Sequence, residues 1–309
     1  MKLVFCGTPQ FAVATLERLV SAGHDVQLVV TQPDRPQGRG MDVTAPPVKQ
    51  SAARLCLPIT QPDKIKTNEA FQAQLTATHP DAIIVVGYGR IVPAWMLHLP
   101  PYGNINVHAS LLPKYRGAAP IQWAIANGET ITGVTTMKID EGLDTGDILL
   151  KRQMPIGPED TAITLAPRLA ELGADLLLET LQELKNGILE PVPQDDSLAT
   201  LAPILKKEDG LIDFSRPAAE IYNRLRGFQP WPGAFTQFRG RKLEIISARV
   251  AHAKQLSPAE FDVHAEHLLV GCGANTALEL LQVQPEGKKL MTAREFINGY
   301  RPQSGERLR

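Results

Sequence analysis

The chain has 309 residues, 43% of them hydrophobic, and a formal net charge of −1. That is enough apolar material for at least one sizeable core, and the length favours two domains, which excludes disordered and fibrous classes. The opening apolar run, residues 2–6, is broken by Gly7, Thr8 and Pro9, and no later stretch reaches membrane length, so neither a secretory segment nor a membrane partner is expected.

Cys6, Cys56 and Cys272 lie far apart without a C-x-x-C pair, so a reducing, cytoplasmic setting is expected. Charge divides unevenly: residues 206–309 hold 16 basic and 12 acidic side chains, and residues 1–205 hold 16 and 21. The surplus suggests an anionic partner for the second half, although extra lysines also serve simply as a solubilising surface.

In chain order, short β-branched runs alternate with helical periods, the pattern of a parallel sheet covered by helices. Residues 2–6, 26–30 and 82–86 read as buried strands. Between the first two, Ala12, Val13, Leu16, Leu19 and Val20 recur at helical spacing, and Gly23 follows where a helix end tolerates positive φ. A strand at 104–107 leads into a Gly- and Pro-rich loop. A short helix near 121–126, a strand at 132–139 and a long helix at 161–184 follow.

After Asn186 and Gly187 the composition turns to Pro191, Pro193, Asp195, Asp196 and Pro203, as in a linker. The expected division is a domain at 1–187, a linker at 188–205 and a domain at 206–309. Strands are expected at 212–214, 234–238, 242–250, 267–270 and 277–283, with helices at 217–225 and 293–298. The expected fold is α/β: a doubly wound, mostly parallel, Rossmann-like sheet, then a small, mostly β, OB-like barrel.

The first turn, Gly7-Thr8-Pro9-Gln10-Phe11-Ala12, lacks G-x-G-x-x-G, and Pro9 stands where the second glycine should admit a pyrophosphate; no P-loop is present. A stronger signal is Asn106-Val107-His108. Residues two apart on a strand point the same way, so both side chains project together at the carboxyl edge, where open α/β sheets bind ligands. Asn offers a neutral donor and His a donor that can carry a proton, a pairing suited to an oxygen that becomes negative. The plainer alternative is a strand end that satisfies its own loop.

Asp140, Glu141, Asp144 and Asp147, bordered by Gly142 and Gly146, fail the EF-hand spacing and read as a solvated turn or as the source of one carboxylate facing His108. His264 and His267, three apart without further ligands, read as surface polarity. No metal is expected.

Together these segments resemble the folate-dependent formyltransferase family over nearly the whole chain. The resemblance implies that Asn106, His108 and Asp144 are catalytic, that Ser110, Leu111, Leu112 and Pro113 belong to the folate site, and that Gly87, Tyr88, Gly89, Arg90 and Ile91 border the pterin. It further implies 10-formyltetrahydrofolate as formyl donor.

Within the family, the basic insertion from Thr31 to Gly40, with Arg35 and Arg39, resembles the loop that holds a tRNA acceptor end. The run from Leu205 to Phe235 resembles the second domain of the members that formylate initiator methionyl-tRNA. Lys206, Lys207, Arg224 and Arg241 are its expected tRNA contacts, since residues 206–254 hold ten basic and five acidic side chains. The expected partners are initiator methionyl-tRNA and folate, with no DNA and no membrane, for a monomeric protein. The alternative is a formyltransferase for a sugar-nucleotide or other small amine.

Overall fold

The structure is a computed structural model that describes residues 1–37, 42–251 and 256–309. It forms two compact units. The first comprises Met1–Pro120, Ile131–Pro155 and Ala166–Pro203; the second comprises Ile121–Thr130, Ile156–Leu165 and Ile204–Arg309.

The first part of the chain runs β1 (Lys2–Gly7), α1 (Phe11–Ser21), β2 (Asp25–Val30), β3 (Arg35–Gln37), β4 (Asp42–Thr44), α2 (Pro47–Arg54), β5 (Ile59–Thr60), α3 (Glu69–Thr76), β6 (Ala82–Val86), α4 (Ala94–Leu97) and β7 (Asn104–His108). Then come α5 (Pro120–Ala126), β8 (Ile131–Lys138), β9 (Ile148–Pro155) and α6 (Ala162–Asn186). Seven strands form one sheet in the order β5-β2-β1-β6-β7-β8-β9. Pairing is parallel from β5 through β7 and antiparallel at β7–β8 and β8–β9.

Leu3, Val4, Phe5, Cys6, Ile83 and Ile84 are completely buried, so successive residues on both faces are covered, as central parallel strands require. Ala12, Val13, Leu16 and Leu19 form the buried stripe of α1, which ends at Ala22 with Gly23 at positive φ. Behind β7, Gly173 of α6 admits Val107 so closely that an added Cβ would lie 2.8 Å from its Cγ1. That contact seats the long helix directly against the strand carrying Asn106 and His108.

Of residues 188–205, expected as a linker, 188–203 belong to the first unit. Val192 and Ile148 exchange backbone hydrogen bonds of 2.8 Å, and Leu201 bridges to Arg116.

The second unit adds α7 (Ala218–Gly227), β10 (Phe235–Phe238), β11 (Arg241–Ala251), β12 (Phe261–His264), β13 (His267–Cys272), β14 (Thr276–Pro285), β15 (Met291–Thr292) and α8 (Ala293–Tyr300). Its antiparallel sheet follows the order β10-β11-β14-β13-β12, with β15 on β14. The chain end joins the two edges: Arg309 exchanges backbone hydrogen bonds with Gln237, and the Glu306 carbonyl accepts from Phe261. Phe228 is packed edge-on against Trp123, and the buried Arg226 donates to the carbonyls of Gly157 and Asp160.

The strand expected at 212–214 is absent. Asp213 accepts from both the backbone and the hydroxyl of Ser215, a local turn that competes with a ladder just before Pro217. Strand β9 escaped the sequence reading because Lys151, Arg152 and Gln153 dilute its apolar alternation.

A Cβ at Gly133 would fall 2.2 Å from the Arg152 carbonyl oxygen and 2.5 Å from Leu111 Cδ2. Gly133→Ala is therefore expected to force β8 and β9 apart and cost about 1–3 kcal/mol. Urea unfolding measures this, and an unchanged midpoint would contradict the close packing.

Candidate active site

Strand alternation puts Asn104, Asn106 and His108 on one side of β7 and leaves Val107 toward α6. Asn104 Nδ2 donates to the carbonyls of Met96 and Leu97 at 2.9 and 3.1 Å, tying the end of α4 to the strand. Its buried Oδ1 has no partner among the described residues. Asn104 lines a cavity of about 330 Å³ together with Leu97, His98, Gly103, Lys138, Ile139, Asp140 and Glu141.

His108, only 6% exposed, has an acceptor oxygen facing each ring nitrogen. Nε2 lies 2.9 Å from the Tyr115 carbonyl oxygen and Nδ1 lies 3.6 Å from Asp144 Oδ2. A carbonyl can only accept, so Nε2 carries a hydrogen and the neutral ring turns the Nδ1 lone pair toward Asp144. A proton taken up at Nδ1 would lie between the ring and the carboxylate. Asp144 Oδ2 also accepts from the Gly117 backbone N–H at 2.8 Å, and Oδ1 accepts from Asn106 Nδ2 at 3.3 Å.

The acidic turn sorts itself by role. Asp140 accepts from the Gly142 N–H and the Thr145 hydroxyl, at 3.0 and 2.8 Å through Oδ1, and so builds the turn. Gly146 lets the chain pass the Lys138 carbonyl, where a Cβ would come within 1.9 Å. Asp144, at φ 53°, is the carboxylate that reaches His108.

Among the residues expected to contact folate, Ser110 is fully buried and donates to the Lys114 carbonyl at 2.6 Å. Leu112 packs with Met137 and Ile148, while Leu111 and Pro113 remain partly exposed. Gly87 and Gly89 have φ of 54° and 74° around the buried Tyr88, whose phenol burial pushes strongly toward the neutral form. Gln32 Nε2 donates to the carbonyls of Tyr88 and Gly89, Arg90 donates to the Asp63 carbonyl, and Ile91 is 88% exposed.

Among the residues expected to contact tRNA, Arg35 is exposed on β3, and Arg39 lies outside the described residues. Lys206, Lys207 and Arg241 are exposed, whereas the half-buried Arg224 spreads its guanidinium over the rings of Trp123 and Phe228 at 5.9 and 5.6 Å. His264 and His267 meet separate carboxylates, Asp262 at 3.1 Å and Glu279 at 2.7 Å. The sequence reading missed Tyr115, whose carbonyl fixes His108, Gly117, whose N–H fixes Asp144, and Gln194. Backbone groups leave no residue-type signal, and Gln194 sits beside Asp195 and Asp196 in a stretch that reads as solvated.

Residues 1–181 match the family described as formyl transferase, and residues 204–301 match the formyl transferase C-terminal domain. The chain belongs to this formyl transferase family. It is 69% identical over 308 residues to methionyl-tRNA formyltransferase of Koribacter versatilis, covering 100% of this chain and 98% of that protein. It is 62% identical over 300 residues to the methionyl-tRNA formyltransferase of Acidobacterium capsulatum, covering 97% and 96%. Among solved structures, the N-formyltransferase from Helicobacter canadensis in complex with folinic acid and dTDP-3-aminofucose shares the fold, with a TM-score of 0.67 and 21% identity over 92% of this chain and 99% of that one.

Asp144→Asn keeps the shape of the side chain and removes its charge from beside His108. Formyl transfer is expected to fall by roughly 10² or more with the melting temperature nearly unchanged. Near-full activity in the folded variant would make the turn purely structural.

Proposed function

We propose that this chain transfers the formyl group of 10-formyltetrahydrofolate to the α-amine of methionine on charged initiator tRNA. The observation that carries this reading is the end-to-end likeness, 69% identity across the whole chain, to a methionyl-tRNA formyltransferase. In this reading residues 1–187 carry the chemistry, residues 188–205 connect, and residues 206–309 contribute the grip on tRNA. The protein works as a monomer in the cytoplasm, with neither DNA nor a membrane as partner.

The residues present suit the folate. A cavity of about 330 Å³ is at the lower end of the range for small-molecule sites, roughly 300–1,000 Å³, and Asn104 is among its lining residues. Asp140 and Glu141 line it and lead directly into the turn of Asp144. In this reading the loop at Gly87, Tyr88, Gly89, Arg90 and Ile91 borders the pterin, and Leu111 and Pro113 offer the partly exposed surface of a loop that Ser110 and Leu112 anchor.

Asn106 spends one amide hydrogen on Asp144 and retains a second for the formyl oxygen as that oxygen becomes negative. The neutral methionine amine adds to the formyl carbon to give a tetrahedral oxyanion, which collapses back to the carbonyl as the bond to the folate nitrogen breaks. His108 takes a proton at Nδ1, where Asp144 steadies the resulting charge, and returns it toward the departing nitrogen, directly or through a water. No covalent enzyme intermediate is required. Lys206, Lys207, Arg35 and Arg241 supply phosphate contacts for the tRNA in this reading.

Formyl transfer to charged initiator tRNA, free methionine and a dTDP-amino sugar, measured side by side, tests the acceptor. The charged tRNA should be preferred by about 10³ or more in kcat/KM, because only it can use extended contacts to phosphates. A sugar amine used equally well would overturn the reading. Asn106→Ala should lower the single-turnover rate by roughly 10² at saturating substrates while leaving tRNA affinity nearly unchanged. A loss confined to binding would remove Asn106 from the chemistry.

A further inference from the structure

The acceptor of His108 Nε2 and the turn that carries Asp144 are both held by one stretch of chain. Gln194 Nε2 donates to the carbonyls of Asp144 and Gly146 at 2.9 and 2.7 Å, and its Oε1 accepts from Arg116 Nε and Nη2 at 3.1 and 2.8 Å. Every hydrogen-bonding position of that amide is filled, and the amide fits in one orientation only. Reversed, its oxygen would face two carbonyls and its NH2 a guanidinium. Arg116, 7% exposed, also donates from Nη2 to Asp196 Oδ1 at 2.7 Å.

A few residues on, the same stretch fixes Tyr115. The Thr200 hydroxyl oxygen accepts from the Tyr115 N–H at 2.9 Å, and the Thr200 carbonyl accepts from the Arg116 N–H at 2.9 Å. Ala202 donates to the Arg116 carbonyl at 2.7 Å and accepts from Ala119 at 3.2 Å. Tyr115 and Asp144 stand at φ of 63° and 53°, left-handed conformations that persist only where the surroundings fix them.

We propose that Gln194, backed by Arg116 and Thr200, is a positioning residue for formyl transfer, and that residues 192–202 form a strap that sets His108 and Asp144 relative to each other. This rests on the catalytic reading of Asn106, His108 and Asp144. The strap acts on the rate through the placement of the carboxylate and of the Tyr115 carbonyl, where displacements of about 1 Å can cost on the order of 10² in rate.

The test uses the full chain carrying Gln194→Glu, which retains a partner for Arg116 but sets an oxygen against the carbonyls of Asp144 and Gly146. A second variant, Thr200→Val, loosens Tyr115 from the other end of the strap with little change of shape. Each should lower kcat by about 10-fold or more, with KM for charged tRNA and for the folate donor changed less than about threefold and melting nearly unchanged. Nitrogen-15 spectra of His108 should show altered ring signals in both. In an Asp144→Asn background, Gln194→Glu should lose most of its effect, because the two act through one carboxylate.

Wild-type kcat in both folded strap variants, beside a slow Asp144→Asn, would overturn the strap and leave the catalytic reading standing. Equal losses from Gln194→Glu with and without the Asp144 carboxylate would also overturn it. A fully active Asp144→Asn would remove the catalytic reading, and the strap with it. If Gln194→Glu fails to fold, Thr200→Val decides on the same measurements.

Discussion

The contact on which the site depends is the hydrogen bond from His108 Nε2 to the Tyr115 carbonyl, 2.9 Å long. It fixes the tautomer of a nearly buried imidazole, and the fixed tautomer determines which nitrogen faces Asp144. Burial strengthens the effect, since little water is available to compete for either ring nitrogen. With Nε2 committed, Nδ1 is the nitrogen that faces Asp144 Oδ2 across 3.6 Å.

Holding that geometry needs a stiff strand behind it and a loop with unusual backbone in front. Ile105 and Val107 of β7 are buried, and Gly173 brings α6 against Val107. In front, Gly117 at φ 121° passes the Ala202 carbonyl, from which a Cβ would be only 2.7 Å away, and still aims its N–H at Asp144. A side chain at 117 would disturb that close approach and the donor together. The acidic turn uses its carboxylates in the same economical way: Asp140 shapes the turn and Asp144 meets the imidazole.

Much of this is legible in the sequence because periodicity and residue type carry it. The apolar runs at 2–6 and 82–86 foretell central strands, and the N-x-H alternation foretells that Asn106 and His108 share a side of β7. What escapes the sequence is whatever backbone atoms and distant pairings decide. The Tyr115 carbonyl has no residue-type signature, the glycine at 117 does not announce which acceptor its N–H meets, and Gln194 meets the Asp144 turn across 50 residues of chain. The stretch around Gln194 reads as a linker because Pro191, Pro193, Asp195 and Asp196 are residues of solvated chain. Its structure comes from partners on the loop after β7 and the turn after β8. The absent strand at 212–214 shows the converse, an apolar-looking run overridden by the local hydrogen bonds of Asp213.

The second unit shows why a count of basic residues overstates the charge that another molecule can meet. Arg216 pairs with Asp213 and Glu220, Arg239 with Glu306, Lys242 with Glu244 and Arg249 with Glu279, while Arg226 is buried on carbonyl groups. An ion pair looks neutral beyond a Debye length, about 8 Å at physiological salt, so these side chains shape the surface more than its field. The positive field of this unit therefore comes mainly from exposed cations outside these pairs, among them Lys206, Lys207, Arg241, Lys288 and Lys289. An electrostatic contribution to RNA binding would accordingly be concentrated at few positions, with a salt dependence smaller than the ten basic residues of 206–254 imply.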